Sequence, residues 1–284
     1  MSSYSVYDVF TDAAFGGNQL AVFPDATNIA EDKLQSIARE FNFSEVTFVY
    51  PPKDSAHTAR VRIFTPTMEI PFAGHPTIGT AIALRDAGHD DDAMILELEI
   101  GPIPCFFEND KAAFKVATPL TRVATPAIDV VAAALGLTAD AIKRETHAPV
   151  QAGVGLPFVV VELRDKGALN ACAPSLDHIR KGAAQYPAGL DFAIFAYVRD
   201  GMRIDARMFA PLDNIPEDPA TGSAAAALAA LLTEELGQNL TLNILQGEAM
   251  GRPSYITAAT QHADPVPVTI SGQAVRVMQG TLLI

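Results

Sequence analysis

The chain has 284 residues, 49% of them hydrophobic and 19% charged, and this composition excludes a disordered or fibrous protein. The length allows two domains of ordinary size, each with its own core. The formal net charge of -13, with no cluster of lysine and arginine, argues against binding to the phosphate backbone of nucleic acid.

Apolar alternation and turn residues predict six strands and two helices in the first half of the chain. In chain order we expect strands at residues 6–10 and 20–23, a helix at 31–40, strands at 41–50 and 60–64, a helix at 76–87, and strands at 94–100 and 113–116. The stretch 117–126 contains proline and threonine without helical or strand periodicity, so it is interpreted as a linker.

The second half repeats much of this order. We expect a helix at 128–135, strands at 157–163 and 192–198, a helix at 219–236, strands at 240–246 and 254–260, and a final strand at 274–283. The pattern predicts one domain over residues 1–118, joined by the final strand at 274–284, and a second domain over 127–273.

One sequence pattern occurs in both halves and favours an internal duplication. Its two copies are Phe64-Thr-Pro66, Ile70-Pro71 and His75-Pro76-Thr-Ile-Gly79-Thr80-Ala81, and Phe209-Ala-Pro211, Ile215-Pro216 and Asp218-Pro219-Ala-Thr-Gly222-Ser223-Ala224. A polar residue, a proline and a run of small residues are typical of a helix start. If the halves face each other, two helix N-termini offer N–H groups to an anion such as a substrate carboxylate.

The alanine-rich run at 224–230 and the small residues at 80–83 favour helices packed closely inside a surrounding sheet, although high helix propensity alone also explains them. The expected fold is therefore α+β, with two pseudo-symmetric domains, each a barrel-like sheet wrapped round a central helix.

Glu45 is the first candidate for catalysis. In a strand at 41–50, a period of two places its carboxyl on the same face as Phe41, Phe43 and Val49. We expect burial on that apolar face to raise its pKa into the range of a general acid/base. The alternative is an exposed strand edge, where the carboxyl has no catalytic role.

His75 and Asp218 occupy matching positions in the two copies of the pattern. Each can be the N-cap of its helix, an interpretation that suits Asp218 better, since histidine is not a favoured cap. The functional alternative is a pair of groups that donate to and orient a substrate. Gly79, Gly222, Thr80 and Ser223 can supply further donors, although small residues at a helix start also have packing reasons.

Several other classes of site are not supported. Neither GxGxxG nor GxxxxGK[ST] occurs, so nicotinamide, flavin and ATP are not expected, and no GxSxG motif indicates a hydrolase. The two cysteines, Cys105 and Cys172, form no CxxC motif, which argues against a disulfide framework or zinc site. With no signal-like start and no apolar run of about 18 residues, we expect a cytoplasmic protein that does not bind membranes.

With these motifs in view, nearly the whole chain closely resembles the PhzF-like phenazine biosynthesis family, whose fold is shared with diaminopimelate epimerase and proline racemase. The motifs that carry the resemblance are Asp8-Val-Phe-Thr-Asp12 with Phe15-Gly-Gly-Asn18, Asn42-Phe-Ser-Glu45-Val-Thr-Phe48, Arg62-Ile-Phe64-Thr-Pro66 with Pro71-Phe-Ala-Gly-His75-Pro76, Glu217-Asp-Pro-Ala-Thr-Gly-Ser-Ala224, and Gln246-Gly-Glu-Ala-Met-Gly-Arg252-Pro-Ser254.

The resemblance implies a homodimer that needs no cofactor or metal, with a site in the cleft between two mirrored domains. It implies isomerisation of a trans-2,3-dihydro-3-hydroxyanthranilate-like substrate, with Glu45 as the acid/base. His75, Asp218 and Ser223 would bind the substrate, and Gly74 and Gly222 would lend backbone donors. The racemase relatives use two facing cysteines, which Gly74-His75 and Asp218-Pro219 replace here.

Two functions from different classes remain open at this point. The first is a cofactor-independent isomerase that moves a proton on a small cyclic carboxylate by general acid/base catalysis. The second is a non-catalytic or regulatory member of the fold that binds a metabolite. The retained polar residues of every motif favour the first.

Overall fold

A computed structural model describes residues 1–89, 91–188 and 190–283. The chain divides into two compact units, which we call unit 1 (Met1–Lys115 with Ser271–Ile284) and unit 2 (Val116–Ile270). The positions of the expected domain boundaries near 118, 127 and 273 stay a prediction.

The described residues form both strands and helices. The strands are β1 (Ser2–Val9), β2 (Asn18–Phe23), β3 (Glu45–Tyr50), β4 (Ala59–Phe64), β5 (Glu69–Ile70), β6 (Ala93–Leu98), β7 (Gly101–Glu108), β8 (Lys111–Val116), β9 (Thr121–Ala124), β10 (Val150–Gly153), β11 (Phe158–Glu162), β12 (Ile194–Asp200), β13 (Arg203–Ala210), β14 (Ile215–Asp218), β15 (Thr241–Gln246), β16 (Ser254–Thr260), β17 (Val268–Gly272) and β18 (Ala274–Leu282). The α-helices are α1 (Leu34–Phe41), α2 (Gly74–Asp86), α3 (Ile128–Ala134), α4 (Lys166–Asn170), α5 (Leu176–Gln185) and α6 (Gly222–Leu236).

Unit 1 is a mixed sheet. The strands β1 and β2 form an antiparallel hairpin, β2 pairs in parallel with β3, and β3 pairs antiparallel with β4. The strand β4 pairs antiparallel with the short β5 and in parallel with β6, which continues antiparallel into β7 and β8. The C-terminal β18 pairs antiparallel with β1, as expected of a final strand that returns to the first half.

Unit 2 repeats this strand order. The strands β10 and β11 are antiparallel, β11 is parallel to β12, and β12 is antiparallel to β13. The strand β13 then pairs antiparallel with the short β14 and in parallel with β15, which is antiparallel to β16. Two copies of one topology confirm the α+β fold with two similar halves.

Each unit has a central helix that follows its short strand. In α2 the residues from Gly74 to Leu84 are all buried, and the helix packs on β1, β2, β3, β6 and β18. In α6 the run from Ala224 to Leu232 is buried, and the helix packs on β10, β11 and β16. Small side chains permit this close approach. A Cβ added to Gly79 would lie only 2.5 Å from Leu20 Cδ2, so glycine is required there by packing.

Two local predictions are wrong. Residues 117–126 are not simply a linker, because β9 lies within them and pairs antiparallel with β10, a partner that local periodicity does not reveal. The strand expected at 41–50 begins only at Glu45, because α1 extends to Phe41 and Asn42 then takes a left-handed conformation with a φ of 52°. Phe41 and Phe43 therefore do not share a strand face with Glu45.

Candidate active site

Glu45 and His75 lie next to each other in unit 1. Glu45 is the first residue of β3, where it pairs with Leu20 of β2, and His75 is the second residue of α2. The Glu45 Oε2 atom lies 3.4 Å from His75 Nδ1, and the two side chains are 13% and 4% exposed. Glu45 is thus largely buried beside a polar partner, and the exposed-edge alternative does not hold.

Burial keeps the His75 imidazole neutral. Desolvation lowers its pKa from 6.5 to about 3, and a hydrogen bond with the backbone of Gln19 acts in the opposite direction. The adjacent Glu45 carboxylate favours the imidazolium as well, so we infer that full burial outweighs both. Among the described residues, the buried Nε2 atom of His75 has no hydrogen-bond partner, which is uncommon for a buried polar atom.

A buried hydroxyl pair ties α2 to β3. Thr80 donates to Thr47 across a distance of 2.9 Å between their Oγ1 atoms, and both side chains are fully buried. Thr47 lies two residues after Glu45, and Thr80 lies five residues after His75. This hydrogen bond therefore fixes the helix start relative to the strand that carries Glu45, which the linear sequence does not show.

Asp218 lies in a separate hydrogen-bond network in unit 2. It is the last residue of β14, it is 6% exposed, and its Oδ2 atom accepts from the Thr221 hydroxyl at 2.5 Å. The fully buried Gln246 side chain donates to the Asp218 carbonyl at 2.8 Å and accepts from the Thr221 N–H at 3.1 Å. The network fixes the four residues that lead into α6.

Thr221 and Gln246 are not among the predicted site residues. Both belong to motifs that carry the family resemblance, but the sequence pattern alone assigns them no contact. The sequence signal that could indicate Gln246 is its position: it is an uncharged polar residue at the end of β15, directly before Gly247. A Cβ added to Gly247 would lie 2.7 Å from the Pro219 carbonyl oxygen, so the two motifs are in direct contact.

The helix starts correct the predicted N-caps. Ala73 is the N-cap of α2 and Thr221 is the N-cap of α6, so neither His75 nor Asp218 caps its helix. Gly74 and Gly222 are the first helical residues, and His75 is therefore equivalent to Ser223 rather than to Asp218. The first N–H groups of each helix have no intrahelical acceptor, which makes both starts suitable for an anion.

The cysteines do not resemble a proton-transfer pair. Cys105 lies in β7 and Cys172 follows α4, and both are buried. Desolvation raises the pKa of Cys105 to about 12 and that of Cys172 to about 11, so both remain thiols near neutral pH. No thiolate is available there to remove a proton.

Other features of the described chain lie apart from these residues. A groove with a volume of about 550 Å³ in unit 1 is lined by charged residues such as Lys53, His57, Arg60 and Glu97, and it includes neither Glu45 nor His75. Within residues 1–89, 91–188 and 190–283, no group of three or more histidine, cysteine, aspartate or glutamate side chains is arranged to hold a metal ion. Over the same residues, every helix is too short or too polar to cross a lipid bilayer.

Comparisons with known structures identify the fold. A phenazine biosynthesis protein of the PhzF family from Bacillus anthracis matches with a TM-score of 0.88 at 22% identity, covering 100% of this chain and 99% of that one. A hydroxyproline epimerase from Agrobacterium vitis matches with a TM-score of 0.61 at 14% identity, covering 98% and 91%. This chain shares the fold of these two proteins.

Sequence comparisons identify the family. The family of phenazine biosynthesis-like proteins, PhzC-PhzF, matches residues 7–280. An uncharacterized isomerase of Mesorhizobium japonicum is 38% identical over 99% of both chains, and a trans-2,3-dihydro-3-hydroxyanthranilate isomerase of Pseudomonas chlororaphis is 36% identical over 100% of both. The chain belongs to the phenazine biosynthesis-like family, and its enzyme class is isomerase.

Proposed function

We propose that this isomerase moves a proton on a small cyclic carboxylate by general acid/base catalysis, with Glu45 as the group that takes and returns the proton. The observation that carries the proposal is the Glu45–His75 pair, with 3.4 Å between Oε2 and Nδ1 and little exposure of either side chain. A carboxyl beside a neutral imidazole in a dry site is suited to proton transfer near neutral pH.

His75 binds the substrate in this proposal. The Glu45 carboxylate lies near Nδ1, which favours the tautomer with its proton on that atom. The Nε2 atom is then an acceptor, and it accepts from an O–H or N–H group of the substrate. A neutral imidazole with a low pKa does not compete with Glu45 for the transferred proton.

Unit 2 supplies the remaining contacts. The N–H groups of Gly222 and Ser223 at the start of α6, with the Ser223 hydroxyl, bind the substrate carboxylate. Asp218, whose position is fixed by Thr221 and Gln246, accepts from a second substrate donor. The Gly74 N–H adds a donor in unit 1. The repeated pattern in the sequence supports a binding role for the start of the central helix in each unit.

The relatives named trans-2,3-dihydro-3-hydroxyanthranilate isomerase support this substrate class. Glu45 removes a proton from one ring carbon, the electron pair shifts the double bonds, and the carboxylic acid returns a proton to another ring carbon. The reaction is balanced without an oxidant, a reductant or a second substrate, and the enzyme regains its starting protonation state.

The test is turnover of trans-2,3-dihydro-3-hydroxyanthranilate in heavy water, followed by proton NMR and mass spectrometry. We expect conversion with deuterium at one product carbon, and a loss of about 10²–10⁴-fold in kcat for Glu45→Gln. Glu40→Gln is the matched control, because Glu40 is exposed in the same unit. Retained turnover in Glu45→Gln would remove Glu45 from its role, whereas binding without exchange would favour a metabolite-binding protein.

A homodimer and a cytoplasmic location belong to the same proposal. Family resemblance supports the dimer, and two buried free cysteines are compatible with a reducing compartment. Light scattering coupled to size-exclusion chromatography tests the homodimer, and a monomer mass would contradict it. Cell fractionation tests the cytoplasmic location.

A further inference from the structure

The same three-residue arrangement occurs once in each unit. We call it a clamp: clamp 1 is Arg62, Phe64 and Glu69, and clamp 2 is Arg207, Phe209 and Glu217. In both, the arginine and phenylalanine lie two residues apart on the strand that pairs with the short strand, and the glutamate lies on that short strand. The family resemblance assigns no role to these arginine–glutamate pairs.

The two clamps use the same donor atoms. In clamp 1 the Arg62 Nε and Nη2 atoms donate to the two Glu69 oxygens at 2.7 and 2.6 Å. In clamp 2 the Arg207 Nε and Nη2 atoms donate to the two Glu217 oxygens at 2.8 and 2.7 Å. Each guanidinium also lies over its phenylalanine ring, at 5.2 Å for Arg62 and 4.8 Å for Arg207. Bidentate pairs of this kind fix both distance and orientation.

The third nitrogen of each arginine contacts a connecting segment of its unit, the one between β2 and β3 in unit 1 and the one between β11 and β12 in unit 2. Arg62 Nη1 donates to Glu31 at 2.9 Å, in the turn before α1. Arg207 Nη1 donates to the carbonyl oxygens of Leu169 and Cys172, both at 3.1 Å, at the end of α4. Each clamp therefore connects three parts of its unit, and clamp 2 is the more buried, since Arg207 and Glu217 are 12% and 16% exposed.

The glutamate of each clamp lies at the same sequence separation from the start of the central helix in its unit. Glu69 lies five residues before Gly74, and Glu217 lies five residues before Gly222. Each intervening segment contains a proline, which lacks an N–H donor, and the short strands β5 and β14 have only two and four residues. Backbone hydrogen bonds alone therefore hold these segments weakly.

We propose that the two clamps are positioning devices for the proposed reaction, on which this inference rests: clamp 1 sets the place of His75 beside Glu45, and clamp 2 sets the place of Asp218, Gly222 and Ser223. The clamps touch no substrate. They act by fixing the segments that carry the binding groups, and each acts on a different step. Clamp 1 governs the proton transfer, and clamp 2 governs the binding of the carboxylate.

The test uses Arg62→Lys and Arg207→Lys, which keep the charge but lose the bidentate contact. We expect Arg62→Lys to lower kcat about tenfold and to leave KM within about twofold of the wild-type value. We expect Arg207→Lys to raise KM about tenfold and to leave kcat within about twofold of the wild-type value. The control is Arg122→Lys, because Arg122 donates to Glu234 and Glu235 near the end of α6, far from the start of that helix. Its kinetics should not change.

Amide hydrogen exchange on the ligand-free variants gives a second readout that does not need activity. We expect faster exchange confined to residues 69–78 in Arg62→Lys and to residues 217–226 in Arg207→Lys, by about tenfold. Unchanged local exchange, or a lower melting temperature with kcat and KM both intact, would overturn the inference. If the wild-type protein turns over no dihydrohydroxyanthranilate, the proposed function fails, while local exchange still decides whether the clamps hold these segments.

Discussion

The buried neutral His75 makes the stability of the protein depend on pH. Its pKa is 6.5 when unperturbed and about 3 in the folded chain. As the pH falls below 6.5, the unfolded chain binds a proton at this residue and the folded chain does not, so the folded state loses stability down to about pH 3. The protein therefore loses stability on acidification, because the pKa of His75 is lower in the folded chain than in the unfolded chain.

The size of the effect follows from the two pKa values. When the pH is lowered from about 7.5 to about 5, the shift of the His75 pKa from 6.5 to about 3 on folding removes about 2 kcal/mol from the free energy of unfolding. Urea denaturation at both pH values measures it, and His75→Gln should lose about 2 kcal/mol less than the wild type over that interval. The comparison cancels the contribution of the other titrating groups.

His262→Gln is the matched control, because it removes an exposed histidine instead of a buried one. An equal loss of stability in wild type and His75→Gln would refute a buried neutral imidazole. An NMR titration of the His75 ring gives an independent check, since the ring should stay neutral down to about pH 4.

Three further outcomes follow from packing and burial. Gln246→Leu should lower the free energy of unfolding, measured by urea denaturation, by about 2–4 kcal/mol, because it leaves the Thr221 N–H and the Asp218 carbonyl unpaired. A loss no greater than that of the control variant Gln261→Leu would contradict this. Gly79→Ala should cost about 1–3 kcal/mol, since its Cβ would meet Leu20, and an unchanged melting temperature would show that the core relaxes freely. A thiol reagent at about pH 8 should label Cys105 only after unfolding, so rapid labelling of the native protein would disprove its burial.

The central helices could be predicted from the sequence because the signals that form them are local. Small residues after a proline indicate a helix start, and the structure places α2 and α6 within a few residues of the expected positions. The register of the repeat could not be obtained in this way. Arg62 and Glu69 are seven residues apart but Arg207 and Glu217 are ten apart, because a 3-10 turn at Pro211–Asp213 lengthens the second copy.

The expected burial of Glu45 agrees with the structure, but the expected cause, a strand face shared with Phe41 and Phe43, is wrong. Phe41 belongs to a helix, and burial of Glu45 comes from its position between β2 and the start of α2. Its contact with His75 depends on packing between residues thirty positions apart, and no local pattern contains that information. The roles assigned to Glu45, His75, Asp218 and Ser223 stay predictions until the variants are measured.

The second position of the two central helices holds His75 in one unit and Ser223 in the other. The two copies therefore share a backbone arrangement but differ in chemistry, because only one of the two equivalent side chains is aromatic and titratable. Glu45 belongs to the same unit as His75, so the proposed proton acceptor and the titratable ring both come from unit 1. In the proposed isomerisation one carboxyl both takes and returns the proton, so part of the label on a deuterated substrate should travel into the product.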